Sequence, residues 1–327
     1  MTRAGIIGTG SCVPKHVLKN SDLEKMVETT NEWIVTRTGI KQRHIANDGT
    51  ACSDLATEAA LKALQSANKT PDEIDLIIVA TVTPDMNFPA TACLVQKNIG
   101  ANKSAAFDLE SGCTGFLYGL TVASQFIMTG TYKCILVIGS EVLSKIVDWE
   151  DRNTCVLFGD GAGAVIVSNV NEGGILQNYL RADGTGGELL FMPGGGSRNP
   201  ATLASVEEKM HHIKMKGNDV FKFAVRAMYD ATENILNKAQ MSIEDIDIVI
   251  PHQANKRIVN AAARRFKIPE EKLFINLDKY GNMSGASIPV ALDEAFNEGR
   301  IKKYDNILLV GFGAGLTWGS CIINWNY

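Results

Sequence analysis

One spacing occurs twice in this chain, and it limits the possible folds more than any other feature. "PDEIDLIIVATVTPD" from Pro71 and "IEDIDIVIPHQAN" from Ile243 each lead an acidic turn into a short β-rich apolar run, with Asp75 and Asp247 standing 172 positions apart. The same offset of 172 carries "YKCILVIGS" at Tyr132 onto "YDNILLVGFG" at Tyr304. Two matched strands at one spacing predict a duplicated architecture, with halves at residues 1–172 and 173–327. Within each half, runs such as "IDLIIVA" and "CILVIG" are continuously apolar, as in strands covered on both faces. "ACSDLATEAALKALQSAN" and "VFKFAVRAMYDATENILNKAQ" instead space their apolar residues three to four apart and read as helices. The expectation is an α/β fold with a mostly parallel sheet in each half and the halves packed on each other. Long irregular insertions at 12–52 and 184–216 fall at matched places, which favours a role in building a site.

Composition narrows the function. Of the 327 residues 45% are hydrophobic, enough for a large core. With 32 Lys plus Arg against 36 Asp plus Glu, no general basic surface exists for nucleic acid or an anionic membrane. "MTRAGIIGTGSCVPK" lacks the apolar segment of about 7 to 15 residues that marks a secretory leader, and no run reaches the ~18 apolar residues of a membrane span. A cytoplasmic protein is expected. The seven cysteines show no CxxC pair, so neither a disulfide framework nor a metal site is suggested. "GIIGTGSCV" lacks the third glycine of a dinucleotide fingerprint, and no G-K-[ST] phosphate loop is present.

The chemistry-bearing residues sit at the ends of these elements. Cys113, in "DLESGCTGFLYGL", precedes a helical run, where the N-terminal partial charge would favour a thiolate and lower the thiol pKa. Cys93, Cys134, Cys155 and Cys321 lie in or beside apolar runs and read as packing. The position 172 after Cys113 is Gly285, in "YGNMSGASIPVALDEAF", another small-residue turn opening a helix. His252, in "VIPHQANKRI", follows the end of the repeated strand, where open α/β sheets place ligands; the other four histidines fall in expected loops. Asn282 stands beside Gly281 ahead of the Gly285 turn, a placement that turn chemistry alone also explains. Together a thiol, an imidazole and a carboxamide suit acyl transfer: a nucleophile with two neutral donors for a developing oxyanion.

"ESGCTGF", "IPHQAN", "YGN" with "ASIPVAL", "NEWIVTRTGI", "LFGDGAGA" and "GFGAGLTWGS" resemble, in order and over essentially the whole chain, the β-ketoacyl-(acyl-carrier-protein) synthase III family of the thiolase superfamily. The resemblance implies a thiolase-like fold: two α/β halves related by a pseudo-twofold axis and layered α-β-α-β-α. It implies Cys113, His252 and Asn282 as the catalytic triad, with the Cys113 and Ala314 N–H groups as an oxyanion hole. It further implies a ping-pong condensation of a short acyl-CoA primer with malonyl-acyl-carrier protein, with no cofactor and no metal. By the same resemblance Trp33, Arg37 and Arg152 would hold the CoA nucleotide, while Met215, Gly217, Phe223, Asn255, Arg257 and Phe312 would line or flank the pantetheine path. Phe88 would close the acyl pocket of the other copy in a homodimer. An acidic carrier protein would dock on a basic patch such as Lys256, Arg257, Arg264, Arg265 and Lys267, charges that a solvated face would also carry. Met283, Gly285 and Ala314 depart from the family's usual residues. The alternatives are a secondary-metabolite synthase with another primer and a non-catalytic acyl-CoA-binding homologue. A degradative thiolase is disfavoured, because its second cysteine is missing from the glycine-rich loop.

Overall fold

The computed structural model describes residues 2–327. The first half forms β1 (Arg3–Cys12), β2 (Leu76–Ala80), β3 (Ala105–Leu109), β4 (Cys134–Val142) and β5 (Asp160–Val170), in sheet order β1-β5-β4-β2-β3. The second forms β6 (Gly174–Ala182), β7 (Ile248–Pro251), β8 (Asn306–Gly313) and β9 (Thr317–Asn324), in order β7-β8-β9-β6. The run β2-β4-β5-β1 thus repeats as β7-β8-β9-β6, and the directions repeat with it. Pairs β2–β4 and β7–β8 are parallel, while the other two pairings of each run are antiparallel.

The sheets are therefore mixed rather than mostly parallel. β8 returns as β9 through the short turn at Ala314, Gly315 and Leu316, and a connection of that length joins only antiparallel neighbours.

Five helices place the layers. α1 (Cys52–Ser66) covers the outer face of the first sheet and α3 (Gly217–Ala239) the outer face of the second. α2 (Gly115–Met128) and α5 (Ser287–Asn297) touch strands of both halves and fill the middle layer, giving α-β-α-β-α. α4 (Lys256–Phe266) packs on α3. The middle helices are apolar around much of their circumference because sheets face them on both sides. One central cluster draws Ile78, Phe116 and Val137 from the first half and Ile250, Leu309 and Trp325 from the second. Each such buried side chain contributes about 1.5–3 kcal/mol, so the halves stabilise each other through a shared interior.

The two insertions are ordered rather than irregular. The first carries paired strands His16–Lys19 and Gln42–Ile45 and a helix, Asn31–Thr38; the second pairs Leu190–Phe191 with Lys214–Met215. His16 and His44 therefore lie on strands, not loops. Arg43, fully buried on the first insertion, donates to the carbonyls of Leu18 and Val156 and to Asn20 Oδ1. That ties the insertion to the segment whose Phe158 bridges Asn282. Among the described residues, no helix is long and apolar enough to cross a membrane.

Candidate active site

Cys113 sits in the single 3-10 turn Gly112–Thr114, which connects β3 to α2, and Ser284–Ala286 makes the same turn ahead of α5. The two turns touch near the pseudo-twofold axis, each backed by a strand end from the opposite half. Backbone contact at these places demands glycine. A Cβ on Gly313 would lie 2.7 Å from the Cys113 nitrogen, and one on Gly139 would lie 2.2 Å from the Gly285 carbonyl oxygen.

Electrostatics at the thiol differ from the expectation of a lowered pKa. Burial pushes Cys113 up to about 11, the nearby Glu141 carboxylate adds to this, and the Ser284 hydroxyl with the backbone N–H groups of Ala314 and Cys113 opposes it. Removing the sulfur from water outweighs the donors that favour the thiolate.

His252 follows β7 directly, its N–H donating to the Val310 carbonyl at 2.8 Å and its ring meeting Phe312 edge-on at 5.5 Å. Both ring nitrogens are buried without a partner, and burial pushes the imidazole down to about 3. The ring is neutral at ordinary pH.

Asn282 is fastened at both backbone ends, donating to the Leu157 carbonyl and accepting from Gly159 N–H at 2.9 and 3.0 Å. Its Oδ1 accepts from Ser284 N–H at 2.8 Å, which leaves the Nδ2 amide as the free donor.

These three residues line one cavity of about 100 Å³, together with Met215, Gly217, Phe223, Asn255 and Phe312. A second cavity of about 330 Å³ begins on another side of Cys113, walled by Val82, Leu143, Ile146, Phe158 and Ile213, with Ala314 at its edge. The thiol stands where a narrow mixed passage meets a wider apolar one.

Trp33, Arg37 and Arg152 line neither cavity; the guanidiniums of Arg152 and Arg37 lie over the Trp33 ring at 4.8 and 5.9 Å. Asn255 caps α4 by accepting from Arg257 N–H and donates to the Arg37 carbonyl, so its amide is already engaged. Arg257 stacks on Phe221 at 5.3 Å. Phe88 is 84% exposed and lines neither cavity of its own chain. Lys256, Arg257, Arg264, Arg265 and Lys267 are all exposed, and among the described residues none forms an ion pair.

Sequence reasoning missed Glu141, Ser284 and Phe221. Glu141 had a signal: the one acid in a largely apolar strand, one residue before the end where sheets gather ligands.

Models of 3-oxoacyl-[acyl-carrier-protein] synthase III and of its C-terminal region match residues 107–184 and 236–325. The β-ketoacyl-[acyl-carrier-protein] synthase III of Caldanaerobacter subterraneus subsp. tengcongensis is 60% identical over 99% of this chain and 98% of its own. The chain belongs to the 3-oxoacyl-[acyl-carrier-protein] synthase III family, whose members are condensing acyltransferases. The Clostridioides difficile synthase III is 53% identical over 99% of both chains. The crystal structure of synthase III from Aquifex aeolicus VF5 superposes with a TM-score of 0.91 at 49% identity, covering 99% of this chain and 100% of that one. The thiolase-like fold of the synthase III family is therefore the fold seen here. Of the three positions singled out in the sequence, Met283 is fully buried, Gly285 faces Glu141, and Ala314 lines the wider cavity.

Proposed function

We propose that the protein starts fatty acid synthesis by condensing a short acyl-CoA primer with malonyl-acyl-carrier protein, giving a 3-oxoacyl-acyl-carrier protein. The observation that carries this is the placing of Cys113 where two cavities meet, faced by a neutral unpartnered imidazole and a carboxamide with a free N–H. Residues 1–172 then act as the half that supplies the nucleophile, and 173–327 as the half that supplies the donors.

In the first stage the Cys113 sulfur attacks the primer thioester. The Cys113 and Ala314 N–H groups, already directed at the sulfur, stabilise the oxyanion, and CoA leaves. The acyl chain lies in the wider apolar cavity. The pantetheine arm runs along the narrow one past Met215, Gly217, Phe223, Asn255 and Phe312. Trp33 stacks on the adenine, Arg37 and Arg152 lie near the phosphates, and Arg257 flanks the mouth.

In the second stage malonyl-carrier protein docks on the α4 face and places its thioester oxygen between His252 and Asn282 Nδ2. Loss of CO₂ leaves an enolate whose negative oxygen accepts from both. A buried polar atom without a partner is costly, so the two empty ring nitrogens mark a place prepared for ligand atoms. The enolate carbon attacks the acyl-Cys113 carbonyl, and the sulfur departs with the thioester bond. No cofactor enters this scheme. The working unit is a homodimer in which Phe88 of one copy closes the wide cavity of the other.

Intact-mass spectrometry after incubation with acetyl-CoA, isobutyryl-CoA and longer acyl-CoAs tests the reading. One acyl mass on the protein, absent from Cys113→Ala, supports it and ranks the primers. No gain with any acyl-CoA overturns it and leaves the binding-protein alternative.

A further inference from the structure

His252 and Asn282 have to meet one oxygen together, yet the imidazole makes no hydrogen bond of its own. Both ring nitrogens lack a partner, so the ring inherits its position from the peptide that carries it. The N–H of that peptide donates to the Val310 carbonyl. Its carbonyl, that of Pro251, is held by a buried side chain outside the triad.

On this side β7 runs parallel to the segment 273–276. Val249 bridges Leu273, and Phe274 N–H donates to the Val249 carbonyl at 3.0 Å. One step further, a parallel ladder would join the N–H of residue 251 to the Phe274 carbonyl, and Asn276 N–H to the carbonyl of residue 251. Residue 251 is proline and has no N–H to give. The Gln253 carboxamide stands in for both bonds. Its Nε2 donates to the Pro251 carbonyl at 2.7 Å and to the Phe274 carbonyl at 3.3 Å, while its Oε1 accepts from Asn276 N–H at 3.1 Å. Two carbonyls at one end and an N–H at the other allow the amide a single orientation, and Gln253 is fully buried.

The first half shows what this arrangement replaces. There β2 and β3 keep an unbroken parallel ladder from Leu76 with Ala105 to Ala80 with Leu109. Val79 stands 172 positions before Pro251, and Thr81 the same distance before Gln253. The second half stops its ladder after one bridge and spaces the two segments with a side chain.

Asn276 begins the path to Asn282. It precedes the short helix Leu277–Tyr280, which ends at Gly281. Asn276 Nδ2 donates to Glu294 Oε2 on α5 at 2.7 Å, and Lys279 pairs with the same carboxylate. One end of the Gln253 amide therefore holds the His252 peptide, and the other holds the start of the Asn282 loop.

Resting on the acyl-transfer reading above, we propose that Gln253 is a positioning residue whose carboxamide sets the separation of the His252 and Asn282 donors. It governs the condensation step, which uses both donors. It does not govern acylation of Cys113, whose oxyanion is met by the Cys113 and Ala314 N–H groups.

The test compares wild type with Gln253→Met, which keeps the length and loses both hydrogen-bonding ends, and with Gln253→Glu, which turns an oxygen towards the two carbonyls. Rapid-quench intact mass follows acyl-Cys113 formation from acetyl-CoA, and then loss of the acyl group from preformed acyl-enzyme to malonyl-carrier protein. In both variants transfer is expected to slow roughly 10²-fold while acylation stays within about twofold of wild type, because a misplaced donor harms only the step that uses it. On a His252→Ala background, Gln253→Met should cost no more than about threefold, since the donor it places is gone. In NMR of histidine-labelled protein, the His252 ring signal, assigned by its absence from His252→Ala, should shift in Gln253→Met. Equal losses in both stages, wild-type transfer, or the full loss repeated on His252→Ala each overturn the proposal. If wild type forms no acyl-enzyme, the condensing reading falls; the ring signal then decides the positioning, a shift upholding it and an unmoved signal overturning it. Should Gln253→Met not fold, Gln253→Glu carries the same comparisons.

Discussion

The two halves repeat strand order, pairing direction and even the 3-10 turn before the central helix, yet they carry different side chains at the matched positions. At positions 172 apart stand Cys113 and Gly285, Ala80 and His252, Glu110 and Asn282, Glu141 and Gly313. The duplicated scaffold supplies two facing turns and two sets of strand ends, where α/β sheets gather ligands. In the proposed reaction, which half would be nucleophile and which donor is then decided by single side chains. The comparison predicts that glycines backing the turns are intolerant where backbone touches backbone and tolerant where it does not.

Gly139→Ala is the most damaging change expected. Its Cβ would sit 2.2 Å from the Gly285 carbonyl oxygen, with no flexible side chain to yield. Stability should fall by about 3 kcal/mol or more, read as a lower urea midpoint. A wild-type midpoint would mean that the two halves are not in contact at this turn.

How much of this was legible follows the range of the interactions. The β2/β7 and β4/β8 repeat was readable because a fully buried strand must be apolar throughout, and equal spacing survives in the letters. The mixed sheet direction was not, because β5 pairs between β1 and β4, a choice made by partners far away in sequence. Cys113, His252 and Asn282 were recognisable as residue types at element ends, and the structure brings them to one cavity. The thiol's raised pKa was illegible: helix position is local, whereas burial is set by the whole fold, and Glu141, which raises the pKa, and Ser284 and Ala314, which oppose it, arrive from three separate segments. Glu141 was passed over for the same reason, since an acid at a strand end looks exposed until Thr81, Thr83 and Gly285 enclose it.

A pH experiment separates the halves next. His252 in the second half has its folded pKa lowered from 6.5 to about 3, so between those values the unfolded chain binds more protons and stability falls as pH falls. Relative to His252→Gln, wild type should lose about 3 kcal/mol between pH 7 and pH 4, measured by urea unfolding. Glu141 in the first half has the opposite sign. Its folded pKa is raised from 4.5 to about 7, so its contribution falls as pH rises through that window, and Glu141→Gln should remove that slope. Parallel pH curves for wild type and both variants would break the electrostatic contrast.

Gly313→Ala is expected to cost about 1–3 kcal/mol and to slow acyl-enzyme formation, because its Cβ would fall 2.7 Å from the Cys113 nitrogen and displace the attacking sulfur. Stability lost with acylation intact would mean the turn can move without the thiol.

Gly285→Ala is the control with the smallest effect and the most to say about the asymmetry. Its Cβ would lie 3.4 Å from Glu141 Oε1 and 3.6 Å from the Ala80 and Gly112 carbonyl oxygens, ordinary contact distances, and its backbone is not in the left-handed region. The urea midpoint should change by no more than about 0.5 kcal/mol, against the large loss for Gly139→Ala two residues before Glu141. A midpoint loss as large as that of Gly139→Ala would show that both turns are equally tight, and that the first half's carboxyl does not fill a space the second half left open.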